Sequence, residues 1–114
     1  MFKAMILLTR RADLTHDDWV RWWLDEHAPR AARLPNLRRG VFNVVDAGAD
    51  EAGVDGVSEL WFDSRADFDA AYATEIGREV AADSLAHVSG RVRVFVGEHE
   101  IADGGAVQPR RPAP

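Results

Sequence analysis

The sequence contains no cysteine. That excludes a disulfide framework, a thiolate nucleophile, a cysteine-ligated zinc and an iron–sulfur cluster. Lysine is nearly absent as well: Lys3 is the only one, and every other cationic side chain apart from histidine is an arginine. No basic stripe is visible and the formal net charge is −5, which argues against nucleic acid as a partner. No apolar run approaches the roughly 18 residues of a membrane span. The opening MFKAMILL is too short, and too soon followed by charge, for a signal peptide. The expectation is a cytoplasmic protein without a membrane partner. There is no glycine-rich phosphate loop and no G-x-S-x-G elbow. No metal site is expected, because His27 has no second histidine at i+3 or i+4 and the Asp-Glu-His run at 25–27 points three ways around a helix.

What is present is an ordinary globular composition in 114 residues, 46% apolar and 29% charged. This fits one domain over residues 1–101, followed by a Gly/Pro-rich tail at 102–114, ADGGAVQPRRPAP. The tail reads as a disordered end or as a segment lying against a second subunit. A chain of this size buries one core but not a large internal cavity besides. A sizeable ligand would need a partner subunit to complete its pocket.

Residues 2–9 form a short apolar run, read as a strand covered on both faces. Thr15 with Asp18 makes a carboxylate capping box for a helix over 16–34. On that helix Trp19, Val20, Trp22, Trp23, Leu24, His27, Ala31 and Leu34 share one apolar arc. Pro29 lacks the N–H that would reach the carbonyl of Asp25 and its ring crowds that carbonyl, which predicts a kink or 3₁₀ turn across 25–29. Strands over 39–46 and 56–63, joined by the polar AGADEAG loop, form an antiparallel hairpin. Ser64 with Asp67 opens a helix with Phe68, Ala71 and Tyr72 inward, a second helical segment runs over 75–87, and a last strand covers 91–99 with valines 92, 94 and 96 on one side. The order β-α-β-β-α-β is the ferredoxin-like arrangement, an α+β fold with a four-stranded antiparallel sheet.

In GVSELWFD, Ser58, Leu60 and Phe62 point one way and Val57, Glu59 and Trp61 the other. Neither set is polar enough to face water. Two such sheets packed face to face in a homodimer would cover the second set and enclose a pocket. Glu59 then either faces that pocket or pairs with an arginine such as Arg93, and the ion pair is the favoured reading. Trp61 packs or stacks on an aromatic ligand. Asn43, alternating with Val41 and Val45, makes a hydrogen bond in the cavity or across the strands. His16 and His99 read as surface residues. His27 lies mid-arc, one turn after Trp23. It is either a core histidine or a group whose ordinary pKa suits it to take a proton near neutrality. Burial among Trp19, Trp23 and Leu34 favours its neutral, basic form.

Four segments, LLTRRADLTHDDWVRWWLDEHAP, ARLPNLRR, DGVSELWFDS and GREVAADS, together spanning about residues 5–84, resemble the EthD family of dimeric α+β barrel proteins. The resemblance implies a ferredoxin-like subunit, a sheet-to-sheet homodimer and a site in the cleft between sheet and helices. Similar proteins occur beside polyketide pathways as cyclases, dehydratases or decarboxylases, and the wider superfamily includes isomerases and oxygenases that need neither metal nor flavin. By match to the H-A-P motif His27 is the catalytic residue the resemblance implies. Asp83, in the A-A-D pattern, is a second polar site residue that would orient His27 or, with a raised pKa, protonate an enolate. Family members often carry an aromatic residue a few positions later, where this chain has SLAHV with His87.

The expected function is therefore a cofactor-independent enzyme acting on an aromatic or polyketide-like carbonyl compound through proton transfer by His27. Trp23, Asn43, Glu59, Trp61 and His87 are the candidate substrate contacts. The alternative is a non-catalytic accessory or ligand-carrying protein serving a pathway oxygenase. A haem held by His27 is a third reading, although no cofactor is required by the first two.

Overall fold

A computed structural model describes residues 1–105. Its elements are β1 (Phe2–Arg10), α1 (His16–Trp22), a π-helical turn (Trp23–His27), α2 (Ala28–Ala31), β2 (Arg39–Val44), α3 (Ala49–Ala52), β3 (Gly56–Phe62), α4 (Arg65–Ala73), α5 (Glu75–His87) and β4 (Val88–Val96). The four strands form one antiparallel sheet in the order β2-β3-β1-β4. This is the ferredoxin-like α+β subunit, with α3 a single turn inside the β2–β3 connection. The part of the expected tail beyond residue 105 lies outside the described residues.

Side-chain caps start α1, α4 and α5. Thr15 Oγ1 accepts from the Asp18 N–H and Ser64 Oγ from the Asp67 N–H, each at 3.1 Å. A third cap, Thr74 accepting from Gly77 N–H at 3.1 Å, separates α4 from α5. Each satisfies one of the backbone donors that a helix start leaves without an intrahelical partner. At the α4–α5 corner Gly77 is obligatory, because a Cβ there would stand 2.1 Å from the Ala71 carbonyl oxygen.

β4 begins earlier than the valine alternation suggests and ends at Val96. It leaves α5 directly, Val88 pairs with Arg10 across a bulge at Thr9/Arg10, and Val96 pairs with Lys3 near the start of β1. Beyond Val96 little of β1 remains to pair with, so Glu98 and His99 fall outside the strand.

The helices cover one face of the sheet. Ala4, Ile6 and Leu8 of β1 and Leu60 and Phe62 of β3 pack there against Trp19, Trp22, Trp23, Phe68 and Val80. Trp23 stacks between Trp19 (centroids 4.9 Å apart) and Phe42 (4.3 Å). The two tryptophans sit so low on the sheet that a Cβ at Gly56 would lie 2.6 Å from Trp23 and 2.9 Å from Trp19. Asp55, fully buried beside Gly56, is held by Nη1 and the backbone N–H of Arg10 and by His16 Nδ1, each at 2.7 Å, and by the Ala49 N–H at 3.1 Å. His16 is thus a tether between helix and loop, not the surface residue expected, because the 45–55 loop folds back over the start of α1.

The opposite face carries Met5, Leu7, Val41, Val57, Val92, Val94 and Val96, with Val92 and Val94 exposed. An apolar sheet face of this breadth is unsuited to water.

Candidate active site

The site starts with Pro29. Without an N–H, and with its ring against the preceding turn, proline cannot continue an ordinary α-helix. Of the kink or 3₁₀ turn expected here the chain does not take the tighter form but widens. Ala28 N–H bonds to the Trp23 carbonyl, five residues back, across the π turn Trp23–His27. Widening moves the crowded carbonyl away from the ring, and such π turns are common at functional sites. The helix resumes for one turn and ends at Ala31. Leu34, expected on the helix, sits in the turn that follows, its N–H bonded to the Ala31 carbonyl at 3.1 Å.

His27 leaves this turn pointing inward and is 5% exposed. Its Nδ1 lies 2.8 Å from Asp83 Oδ2 on α5. Arg30, one turn further along, places Nη1 3.0 Å from the same oxygen. Burial works against charge on Asp83, but the hydrogen bonds and charges of His27 and Arg30 outweigh it and hold the carboxyl below its usual range. Asp83 is therefore ionised at neutral pH and can only accept. Its pairing with His27 and Arg30 favours the orienting role over the expected alternative in which a raised pKa makes Asp83 the proton donor to an enolate. It also assigns the tautomer of neutral His27: Nδ1–H donates to Asp83, and the lone pair is on Nε2. Burial lowers the His27 pKa, while the Asp83 hydrogen bond and charge pull it partway back up. The outcome is a neutral imidazole held in one orientation, the form a general base requires.

His27 lines a narrow slot between sheet and helices together with Trp23, Phe42, Ile6, Leu60 and Val80. Ser58, Tyr72, Ser84 and Arg91 supply the slot's other polar groups. Its open volume is about 20 Å³, room for about one water molecule. Ala31, Phe42 and Leu60 also border a groove of about 360 Å³ at the β2 edge, walled by Leu37, Arg38, Arg39 and Gly40. The Phe42 ring is 6.0 Å from the His27 ring and stands between slot and groove.

The expected site residues fall into two places. His27, Asp83 and Trp23 come together on the helical face. His87 joins them from behind, its Nδ1 2.8 Å from the Asp83 main-chain oxygen and its ring stacked on Trp22 at 3.9 Å. It supports the wall and does not line the slot. Asn43, Glu59 and Trp61 lie on the opposite face of the sheet. Asn43 Nδ2 donates to Glu59 Oε2 and to the Val57 carbonyl, both at 3.0 Å. Glu59 is ion-paired with Lys3 at 2.7 Å. The expected partner, Arg93, is across the sheet against Phe68 and Phe95. Trp61 donates Nε1–H to Glu98 and is flanked by Lys3 and Arg39 at 4.5 and 4.6 Å. These three cannot reach a ligand at His27 within one subunit. Phe42, Tyr72, Ser84 and Arg91 were not anticipated as site residues. For Arg91 the only signal was its alternation with valines 92, 94 and 96, which puts it on the other face of β4 from them but does not say which face the helices cover. Among the described residues no group of three or more histidine, aspartate or glutamate side chains converges to hold a metal ion.

The EthD domain matches residues 11–89, more than half of the chain and inclusive of both His27 and Asp83. The chain belongs to the EthD family. Solved structures agree on the fold. An EthD family protein from Bacillus halodurans superposes with a TM-score of 0.74 at 17% identity, covering 87% of this chain and 100% of the other. A dimeric ferredoxin-like protein of unknown function from Thermobifida fusca gives 0.69 at 18% identity, covering 85% and 90%. An antibiotic biosynthesis monooxygenase gives 0.64 at 17% identity, covering 88% and 100%. No curated protein matches the sequence. Among the described residues of this EthD protein, no helix is long and apolar enough to cross a membrane.

Proposed function

We propose that this EthD protein is a cofactor-independent enzyme that acts on an aromatic or polyketide-like carbonyl compound, with His27 Nε2 as the base. The observation that carries this reading is the His27–Asp83 pair: an imidazole oriented through Nδ1 by a carboxylate, on a buried ring that lines the slot. Such a base takes a proton from a phenol or from carbon beside a carbonyl. The resulting phenolate or enolate then cyclises, loses water with the proton held on Nε2, isomerises, or reacts with dioxygen; in a decarboxylation, cleavage of the bond to carbon dioxide itself leaves the enolate, which takes its proton from the protonated imidazole. Asp83 orients the base and stabilises the imidazolium that forms, and returning the proton from Nε2 closes the cycle. The protein acts as a homodimer, the apolar outer sheet faces packing together, as in the relative described as dimeric. Asn43, Glu59 and Trp61 then belong to the subunit interface, and the setting is cytoplasmic.

A second reading draws support from the water-sized slot: a carrier that holds its ligand in the larger groove beside Phe42 without transforming it. Incubating the protein without added cofactor with anthrones, polyphenols and β-keto acids, with and without oxygen, separates the two. Turnover that is lost in a folded His27→Ala variant is the result expected of the enzyme. Tight binding by both proteins without turnover would establish the carrier.

A further inference from the structure

The sheet carries four arginines, and three of them have partners. Arg10 is paired with Asp50 and Asp55, Arg39 lies over Trp61, and Arg93 lies against Phe68 and Phe95. Arg91 has neither a carboxylate nor an aromatic face among the described residues. Its side chain projects from β4, opposite Leu8, to the helical face, where it lines the same slot as His27. Its Nε is buried without a hydrogen-bond partner. The residue as a whole is half-buried, and at a strand edge the long stem of an arginine normally carries its donors out to water. A buried donor left without an acceptor is unfavourable, so the Nε–H is open to an acceptor that a ligand would bring.

The groups around Arg91 indicate what that is. Desolvation disfavours its charge, Tyr72 acts in the opposite sense, and Arg93 adds the repulsion of a second cation. Tyr72, on α4, also borders the slot, and burial keeps its hydroxyl protonated and therefore able to donate. Ser84 adds a hydroxyl from α5. A guanidinium with phenolic and alcoholic hydroxyls and no acceptor charge is a set built to receive an anionic oxygen pair. Phe42 and Arg91 stand on the two outer strands, β2 and β4, about 14 Å apart at the usual strand spacing, with His27 at the Phe42 end.

We infer that Arg91 is the anion-binding residue of this slot, and that the ligand is an aromatic carboxylic acid whose carboxylate sits at Arg91 while its reactive carbonyl or phenol faces His27. The ligand enters by displacing side chains that now fill the slot. The inference rests on the proposed use of the slot as the substrate site, but its test does not require turnover.

The test measures binding of 2-naphthoate and of its neutral analogue 2-naphthalenemethanol, by calorimetry and by quenching of the tryptophans beside the slot. Wild-type protein is expected to prefer the acid by about tenfold or more, the range for a hydrogen-bonded charge. Arg91→Met should abolish the preference, and Arg91→Lys should retain part of it, which guards against a merely structural effect. His27→Ala should keep the preference while losing any turnover, so that failure of the base assignment and failure of the anion site give different results. Equal affinity of wild type for acid and alcohol, or an undiminished preference in a folded Arg91→Met protein, would overturn the inference.

Discussion

Replacing Asp83 with asparagine probes the link between geometry and chemistry most finely. The substitution keeps the size of the side chain but removes the charge that accepts from His27 Nδ1 at 2.8 Å and from Arg30 at 3.0 Å. A hydrogen bond to a charged group contributes about 1.5–3 kcal/mol. If that contribution is felt as the imidazolium forms in the transition state, its loss lowers kcat/KM about ten- to hundredfold. The pH dependence gives an independent reading. In the native protein burial holds the His27 pKa below its ordinary value against the opposing pull of Asp83. Without the carboxylate the pull disappears, so the pKa falls further and the acid limb of the rate profile moves to lower pH. The same residues link to stability with definite signs. His27 has a depressed folded-state pKa, so acidification costs stability from about pH 6.5, where the unfolded chain protonates, down to the folded-state value. Asp83 is also depressed, so its contribution is present above about pH 4 and disappears as pH falls through its folded-state value. The assays are kcat/KM from pH 4.5 to 8.5 and an imidazole nitrogen NMR titration of His27 in both proteins. An unchanged His27 titration and an unchanged rate in folded Asp83→Asn would refute the pairing as a functional element.

Further outcomes follow from the fold and the site. Asp55→Ala removes a fully buried carboxylate with four bonds to Arg10, His16 and Ala49, and leaves Arg10 short of its partner; urea unfolding should show a loss of about 3–5 kcal/mol. The wild-type contribution of Asp55 should itself disappear as pH falls through its depressed folded-state pKa, since it is present only above about pH 4. Trp23→Ala empties the stack between Trp19 and Phe42 and should cost about 3–5 kcal/mol in chemical denaturation while opening the slot to larger ligands. Sedimentation at micromolar concentration should show twice the chain mass of 12.6 kDa, and Val94→Asp, which charges the apolar sheet face, should return it to a single chain; a wild-type species at the chain mass would contradict the dimer.

Much of the frame was legible because it is local. Thr15 and Ser64 announce their helices by side chain and spacing, residues 75–87 carry a helical period, and the alternation in GVSELWFD sorts two faces correctly. What escaped depends on distance in sequence. His27 and Asp83 are 56 residues apart, and no spacing rule joins them; only the family resemblance placed both at the site. Alternation puts Glu59 and Trp61 on a common face but does not say which face holds the cleft, so it cannot separate them from the residues around His27. Lys3, three residues from the start, was not foreseen as the partner of Glu59 because the β1–β3 register was unknown. The loop over 45–55 hid the return of Asp55 to His16. The widened turn at Pro29 was foreseen as a distortion but not in its sense, since a proline relieves its clash by either tightening or opening the helix.

The central claim is that His27 Nε2 removes a proton from a ligand in the slot. Proton NMR in heavy water tests it without knowledge of the natural product: the protein is mixed with anthrones and β-keto acids, and exchange of the acidic C–H for deuterium is followed over time. Wild type should accelerate exchange of at least one compound above the buffer rate, with an acid limb matching the His27 titration, and His27→Gln, shown to be folded by circular dichroism, should fall to the buffer rate. Acceleration that persists undiminished in His27→Gln would contradict the assignment of the base.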